Sequence, residues 1–160
     1  MNKNELMEEI AEHEGKILHC YECSEGYKTI GVGHKVLESD LENGLNVFGA
    51  YDSDVPEDQT ITEERCQELF AEDVDTAIKG CERIYKNWDS FPEEFQRILI
   101  NMCFQLGAGG LSKFKNMNAA AEEMAYGQVA LEMEDSRWAR QTPHRMEALK
   151  KRVWRLCEWR

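Results

Sequence analysis

No apolar run in this 160-residue sequence approaches the roughly 20 residues needed to cross a bilayer as a helix. The opening M-N-K-N-E-L-M-E-E-I has no signal-peptide core followed by small residues. The sequence therefore implies a protein made in a cytosol, without stable membrane insertion, whose action beyond the membrane needs another route out. Basic residues are outnumbered, 19 Lys and Arg against 31 Asp and Glu, for a formal charge of -12. That balance argues against non-specific binding to nucleic acid or anionic membrane, because both draw on Lys and Arg. There is no internal repeat and no low-complexity segment. Nor is there a second C-x-x-C or a spaced His pair to complete a four-ligand zinc site with Cys20 and Cys23. No metal or other cofactor is expected.

What is present suits one compact core or two small lobes sharing one: 42% of the residues are hydrophobic. Charge is unevenly spread. From Ser136 to Arg160, eight basic residues stand against Glu147 and Glu158, so this tail is +6 and the remainder -18. An anionic partner could meet that face. Six cysteines in a cytosolic chain are expected to stay reduced. Cys66, Cys81, Cys103 and Cys157 sit at apolar-periodic positions and read as small core residues.

Leu6, Ile10 and His13 fall at helical spacing and Gly15 stops the pattern, giving a first helix that ends at Glu14. Between Lys16 and Gly33 the pattern becomes two short β-type runs, 16–20 and 27–32, broken by Ser24, Gly26, Gly31 and Gly33. Residues 38–60 read as an acidic irregular loop with room for one further strand. A long amphipathic helix follows, with Thr60 or Thr62 as N-cap and a face from Cys66 to Cys81. Ser90 and Glu93 form the capping-box pattern of a central helix whose buried stripe (Phe95, Ile98, Leu99, Met102, Cys103, Leu106) runs to Gly107. Shorter helices are predicted over 116–126, 128–134 and 137–141, and Thr142-Pro143 opens the last one. The order of one helix, a small antiparallel sheet and then only helices defines an α+β protein.

Taken singly, a Glu closing a helix is a solvated residue and a Thr in a strand is a strand former. Gly31-Val32-Gly33 is too short for a phosphate loop. Cys20 and Cys23 fall in a hairpin, not at the helix start that a thioredoxin-like motif needs. Their order is more informative. Glu14, Cys23 and Thr29 are spaced by eight and then five residues, and I-G-V-G-H follows at once. This resembles the lysozymes of T-even bacteriophages, family 24 of the glycoside hydrolases, in which a Glu, an Asp or occasionally a Cys, and a Thr stand at that spacing. The resemblance continues in E-G-Y-K-T-I-G-V-G-H (Glu25 to His34), D-V-D (Asp73 to Asp75), I-N-M-C-F-Q-L-G (Ile100 to Gly107) and S-R-W-A-R-Q-T-P-H-R (Ser136 to Arg145).

The resemblance implies a single two-lobed lysozyme domain over 1–160. Its sheet lobe would span about 15–60, its connecting helix about 62–82, and its helical lobe 1–14 plus 83–160. It implies a muramidase cutting β-1,4 bonds between N-acetylmuramic acid and N-acetylglucosamine. Glu14 would be the general acid, with a pKa raised toward working pH, and Thr29 would hold the attacking water of an inverting mechanism. Cys23 stands where most of the family has Asp. A thiol of ordinary pKa about 8.5 near Glu14, Glu22 and Glu25 carries little charge at neutral pH. Three roles are open: placing water with Thr29, acting through its thiolate fraction as base or nucleophile, or leaving the charge to Glu22 or Glu25. The first is favoured.

By the same resemblance, saccharide in a cleft between the lobes would touch Glu25, Gly33, His34, Phe104 and Gln105. His34 with Asp73 and Glu14 with Arg145 would be supporting ion pairs. Lys35, Met117 and Glu132 replace residue types that the phage enzyme carries at its cleft. The biological role implied is a monomeric endolysin, acting on peptidoglycan at phage release after a holin-type pore gives access. The alternatives are a weakly catalytic wall-binding module and a tail-associated lysozyme for entry.

Overall fold

A computed structural model describes residues 1–22, 28–35 and 61–158. Among these, seven α-helices accompany one three-stranded antiparallel sheet near the N-terminus, so the α+β class is observed. No described helix is long and apolar enough to cross a membrane. The chain separates into two compact units, Asn2–Asp75 and Thr76–Arg160 with Met1, and the division falls within one long helix.

In the first unit, helix α1 (Lys3–Glu14) starts where the Asn2 side chain accepts the N–H groups of Asn4 and Glu5, at 3.1 and 3.4 Å. Leu6, Met7 and Ile10 form its buried face, and the Gly15 N–H closes the last turn on the Ala11 carbonyl at 2.9 Å. Strands β1 (Ile17–Glu22), β2 (Lys28–Gly31) and β3 (His34–Lys35) lie in the order β1-β2-β3. β2 is central: Thr29 faces Tyr21 on one side and Lys35 on the other, and Ile30 pairs with His34. β1 is irregular between Ile17 and Tyr21, where the Leu18 carbonyl instead accepts the Ile61 N–H at 2.9 Å. β3 was not foreseen, because two residues are too short to show alternation.

Helix α2 (Glu63–Ile84) is capped by Thr62, whose hydroxyl accepts the Arg65 N–H at 3.0 Å. Its first half packs on the sheet: a Cβ added at Gly31 would lie 3.2 Å from the Cys66 sulfur and 3.5 Å from Ile61. Ile30, Val32, Ile61, Leu69, Phe70 and Val74 are buried with them. The predicted irregular region 38–60 and the alternative cap Thr60 lie outside the described residues.

The second unit is helical. A 3-10 turn, Trp88–Ser90, precedes α3 (Glu93–Ser112), followed by α4 (Lys115–Glu122), α5 (Tyr126–Glu134), α6 (Arg137–Gln141) and α7 (Pro143–Glu158). Ser90 does not cap α3. Pro92 holds the residue before it, Phe91, extended (φ -72, ψ 138), so Pro92 takes the cap position and Ser90 ends the 3-10 turn. The central stripe is buried as predicted from Phe95 to Cys103, and the non-helical Gly107 (φ 74, ψ 161) ends the first helical segment of α3, a second continuing to Ser112 beyond the kink. An aromatic cluster of Tyr85, Trp88, Phe91, Phe95 and Tyr126, with neighbouring ring centroids 5.1 to 6.2 Å apart, fills one end of this core. Cys66, Cys81 and Cys103 are buried free thiols, and Cys157 is half-buried.

Candidate active site

Glu14 is the last residue of α1, so its side chain leaves the helix where the chain turns into the sheet. Its carboxylate lies against the Val32-Gly33 turn between β2 and β3: a Cβ built on Gly33 would sit 2.7 Å from Glu14 Oε2 and 3.1 Å from Cδ. Thr29, on the central strand two residues before Gly31, is only 3% exposed. A hydroxyl with so little solvent access is a candidate for holding one ordered molecule in a fixed place.

On the far side of the turn, His34 Nδ1 meets Asp73 Oδ2 of α2 at 2.6 Å. His34 is 8% exposed, and the Asp73 side chain 27%. This short contact fixes the imidazole and fastens β3 to α2. Ile30 before the glycine turn and Val32 within it are thus buried, and His34 after it is held by Asp73. Nearby, Lys16 pairs with Glu63 at 2.7 Å on an exposed surface, and that carboxylate raises the lysine pKa. Burial raises the pKa of the Cys66 thiol beneath the turn.

In the helical unit, the Gln105 carbonyl accepts the Trp138 indole N–H at 2.7 Å, and its amide donates to the Thr142 hydroxyl at 3.3 Å. Phe104 beside it is half-buried. Arg145 is 6% exposed, and donates through Nε to Asn101 Oδ1 at 2.8 Å and through Nη2 to the Asn101 carbonyl at 3.3 Å. Asn101 and Trp138 thus hold two of the expected site residues, a task the sequence reading passed over. The signal for Asn101 was available: one amide inside the apolar run I-L-I-N-M-C requires a polar partner.

Cys23 and Glu25 lie outside the described residues. Cys20 belongs to β1. Of the positions expected to differ from the phage enzyme, Met117 is 1% exposed and serves the core, whereas Lys35 is exposed on β3 and Glu132 accepts a bond from Gln128 at 2.9 Å.

A family profile described as phage lysozyme matches residues 11–155. The chain is 32% identical over 144 residues to the Probable T4-type lysozyme 1 of Dictyostelium discoideum, covering 82% of this chain and 83% of that protein. It is 30% identical over 148 residues to the Pre-baseplate central spike protein Gp5 of Enterobacteria phage T4, covering 88% of this chain but 26% of Gp5. It is also 27% identical over 145 residues to the Peptidoglycan hydrolase gp36 of Pseudomonas phage phiKMV, covering 91% of this chain and 14% of gp36.

Proposed function

Because the chain belongs to the phage lysozyme family, we propose that it hydrolyses peptidoglycan, as a muramidase cutting the β-1,4 bond between N-acetylmuramic acid and N-acetylglucosamine. The observation that carries the reading is the placement of the Glu14 carboxylate against the β2–β3 turn, in the unit that also buries the Thr29 hydroxyl on β2. Glycoside cleavage needs a proton on the leaving oxygen and a water on the opposite face of the sugar. Glu14 supplies the proton, Thr29 orients the water, and the configuration at the anomeric carbon inverts. Cys23 helps place that water as a neutral thiol. Glu25, Gly33, His34, Phe104 and Gln105 contact the glycan, and the His34–Asp73 contact and Arg145 support the site.

The similarity to a peptidoglycan hydrolase of phage phiKMV supports the substrate. The biological setting we favour is release: a monomer made in the host cytoplasm that reaches the wall through a holin-type pore. A second setting, wall penetration at entry, is favoured by the similarity to a T4 spike protein. Finding the protein in purified virions would select entry, and finding it only in lysates would select release.

The test of the chemistry is hydrolysis of purified peptidoglycan by wild type, Glu14→Gln, Cys23→Ser and Cys23→Ala, with reducing ends and anomeric configuration followed. Loss of activity in Glu14→Gln with first-formed α-anomer from wild type is expected. Cys23→Ser should retain most activity, and a loss of many orders there would instead assign thiolate chemistry. A wild type inert across pH and salt would leave a wall-binding module.

A further inference from the structure

We propose that Gly33 is a positioning residue for Glu14: the missing side chain leaves the space in which the acid's carboxylate sits. The inference rests on Glu14 being the general acid. It assigns Gly33 a task distinct from contacting glycan.

An L-alanine Cβ at Gly33 would lie 2.7 Å from Glu14 Oε2, 3.1 Å from Cδ and 3.6 Å from Cγ. Contacts under about 3 Å between such atoms are repulsive, so one partner must move. The turn is the stiffer partner. Ile30 pairs with His34 across it, Ile30 and Val32 are buried, and His34 is fastened to Asp73 at 2.6 Å. The carboxylate is the end of a flexible, half-buried chain with three side-chain torsions. It yields more readily than the turn, and leaves the place from which it would protonate the leaving oxygen. Displacement of a reacting group by about 1 Å can cost about 100-fold in rate. Substitution should therefore separate activity from stability.

Gly33 has φ +64, so any L residue there also carries backbone strain. Gly15, with φ +70, ψ 179 and nothing within 4 Å of an added Cβ, lies in a region open almost only to glycine, so Gly15→Ala sets a ceiling for backbone strain without a steric contact. The experiment compares wild type, Gly33→Ala, Gly15→Ala and Glu14→Gln for melting temperature, and wild type, Gly33→Ala and Glu14→Gln for kcat and KM on soluble peptidoglycan fragments. Gly33→Ala should melt no more than a few degrees below Gly15→Ala, lose about 100-fold in kcat and change KM by a much smaller factor.

A loss carried by KM with kcat retained would leave Gly33 its glycan contact alone and overturn the inference. A kcat like that of wild type would overturn it too. A melting temperature far below that of Gly15→Ala would show that the carboxylate does not yield. Wild-type activity in Glu14→Gln would instead remove the general-acid reading itself.

Discussion

Replacing Trp138 by Phe removes an indole N–H buried with a residue only 2% exposed, and leaves the Gln105 carbonyl without its 2.7 Å partner. A neutral hydrogen bond of this kind contributes about 0.5–1.5 kcal/mol net. The smaller ring gives up roughly a further 1–2 kcal/mol of burial and packing, including the edge contact with Phe114 at 6.4 Å. Trp138→Phe should therefore destabilise by roughly 2–3 kcal/mol in urea unfolding at unchanged slope. Packing and hydrogen bonding are separated by a double-mutant cycle with Gln105→Ala. Because Gln105 is half-buried, the coupling should be about 1 kcal/mol. The 3.3 Å bond from Gln105 to Thr142 is lost in both Gln105→Ala arms and cancels. Coupling below about 0.3 kcal/mol would mean that solvent replaces the indole at Gln105, and the argument that Trp138 holds this amide would fail.

Asp73→Asn weakens the fastening of His34 and should cost about 1 kcal/mol of stability, since the 27% exposed carboxylate is partly screened; urea unfolding measures it. Tyr85→Phe deletes the hydroxyl that donates to Asn118 Oδ1 at 2.6 Å, at an expected cost of about 1–2 kcal/mol. Burial also raises the Tyr85 pKa, so the unfolded chain releases this proton at lower pH than the folded one. Stability should then fall as pH rises above about 10, and Tyr85→Phe should fall less steeply in alkaline urea melts. At a net charge of -12, repulsion from an anionic wall should be strongest at low ionic strength. Turbidity assays of wall lysis should show a rate that first rises with salt, and a steady fall from the lowest salt would contradict this.

The fold was legible wherever local chemistry and long-range packing ask for the same thing. Gly15 ends α1 at Glu14, Thr62 caps α2, and Pro143 opens α7. Where they compete, local signs misled. Ser90 and Glu93 have the capping-box spacing, yet Pro92 controls the geometry of Phe91 and moves the helix start. The predicted helix over 116–126 breaks earlier, because Met124 adopts φ 51 and α5 starts at Tyr126. Of the candidate site, residue types and spacing could be read, but not partners. Nothing local in the sequence says that Asn101 holds Arg145 or that Trp138 holds Gln105, 44 and 33 residues apart.

The motif blocks carry unequal weight as evidence for catalysis. Ile100–Gly107 and Ser136–Arg145 look like active-site signatures, yet much of their content is mutual scaffolding. Trp138 and Thr142 hold Gln105, and Arg145 is held by Asn101. A wall-binding protein built on this fold would keep those bonds for stability alone. The N-terminal unit is harder to explain by packing. It buries a threonine, and a buried histidine fastens a glycine turn whose next neighbour is a carboxylate at a helix end. Burying polar groups costs free energy that pairing offsets only in part, and an ordinary hairpin of this size could use apolar residues instead. If catalysis is what maintains this arrangement, removing the Thr29 hydroxyl should cost activity far more than stability. Thr29→Val is the cleanest case because it keeps the branched shape and removes only the hydroxyl. Wall hydrolysis by a stably folded Thr29→Val at the wild-type rate would leave this polar arrangement without a catalytic explanation.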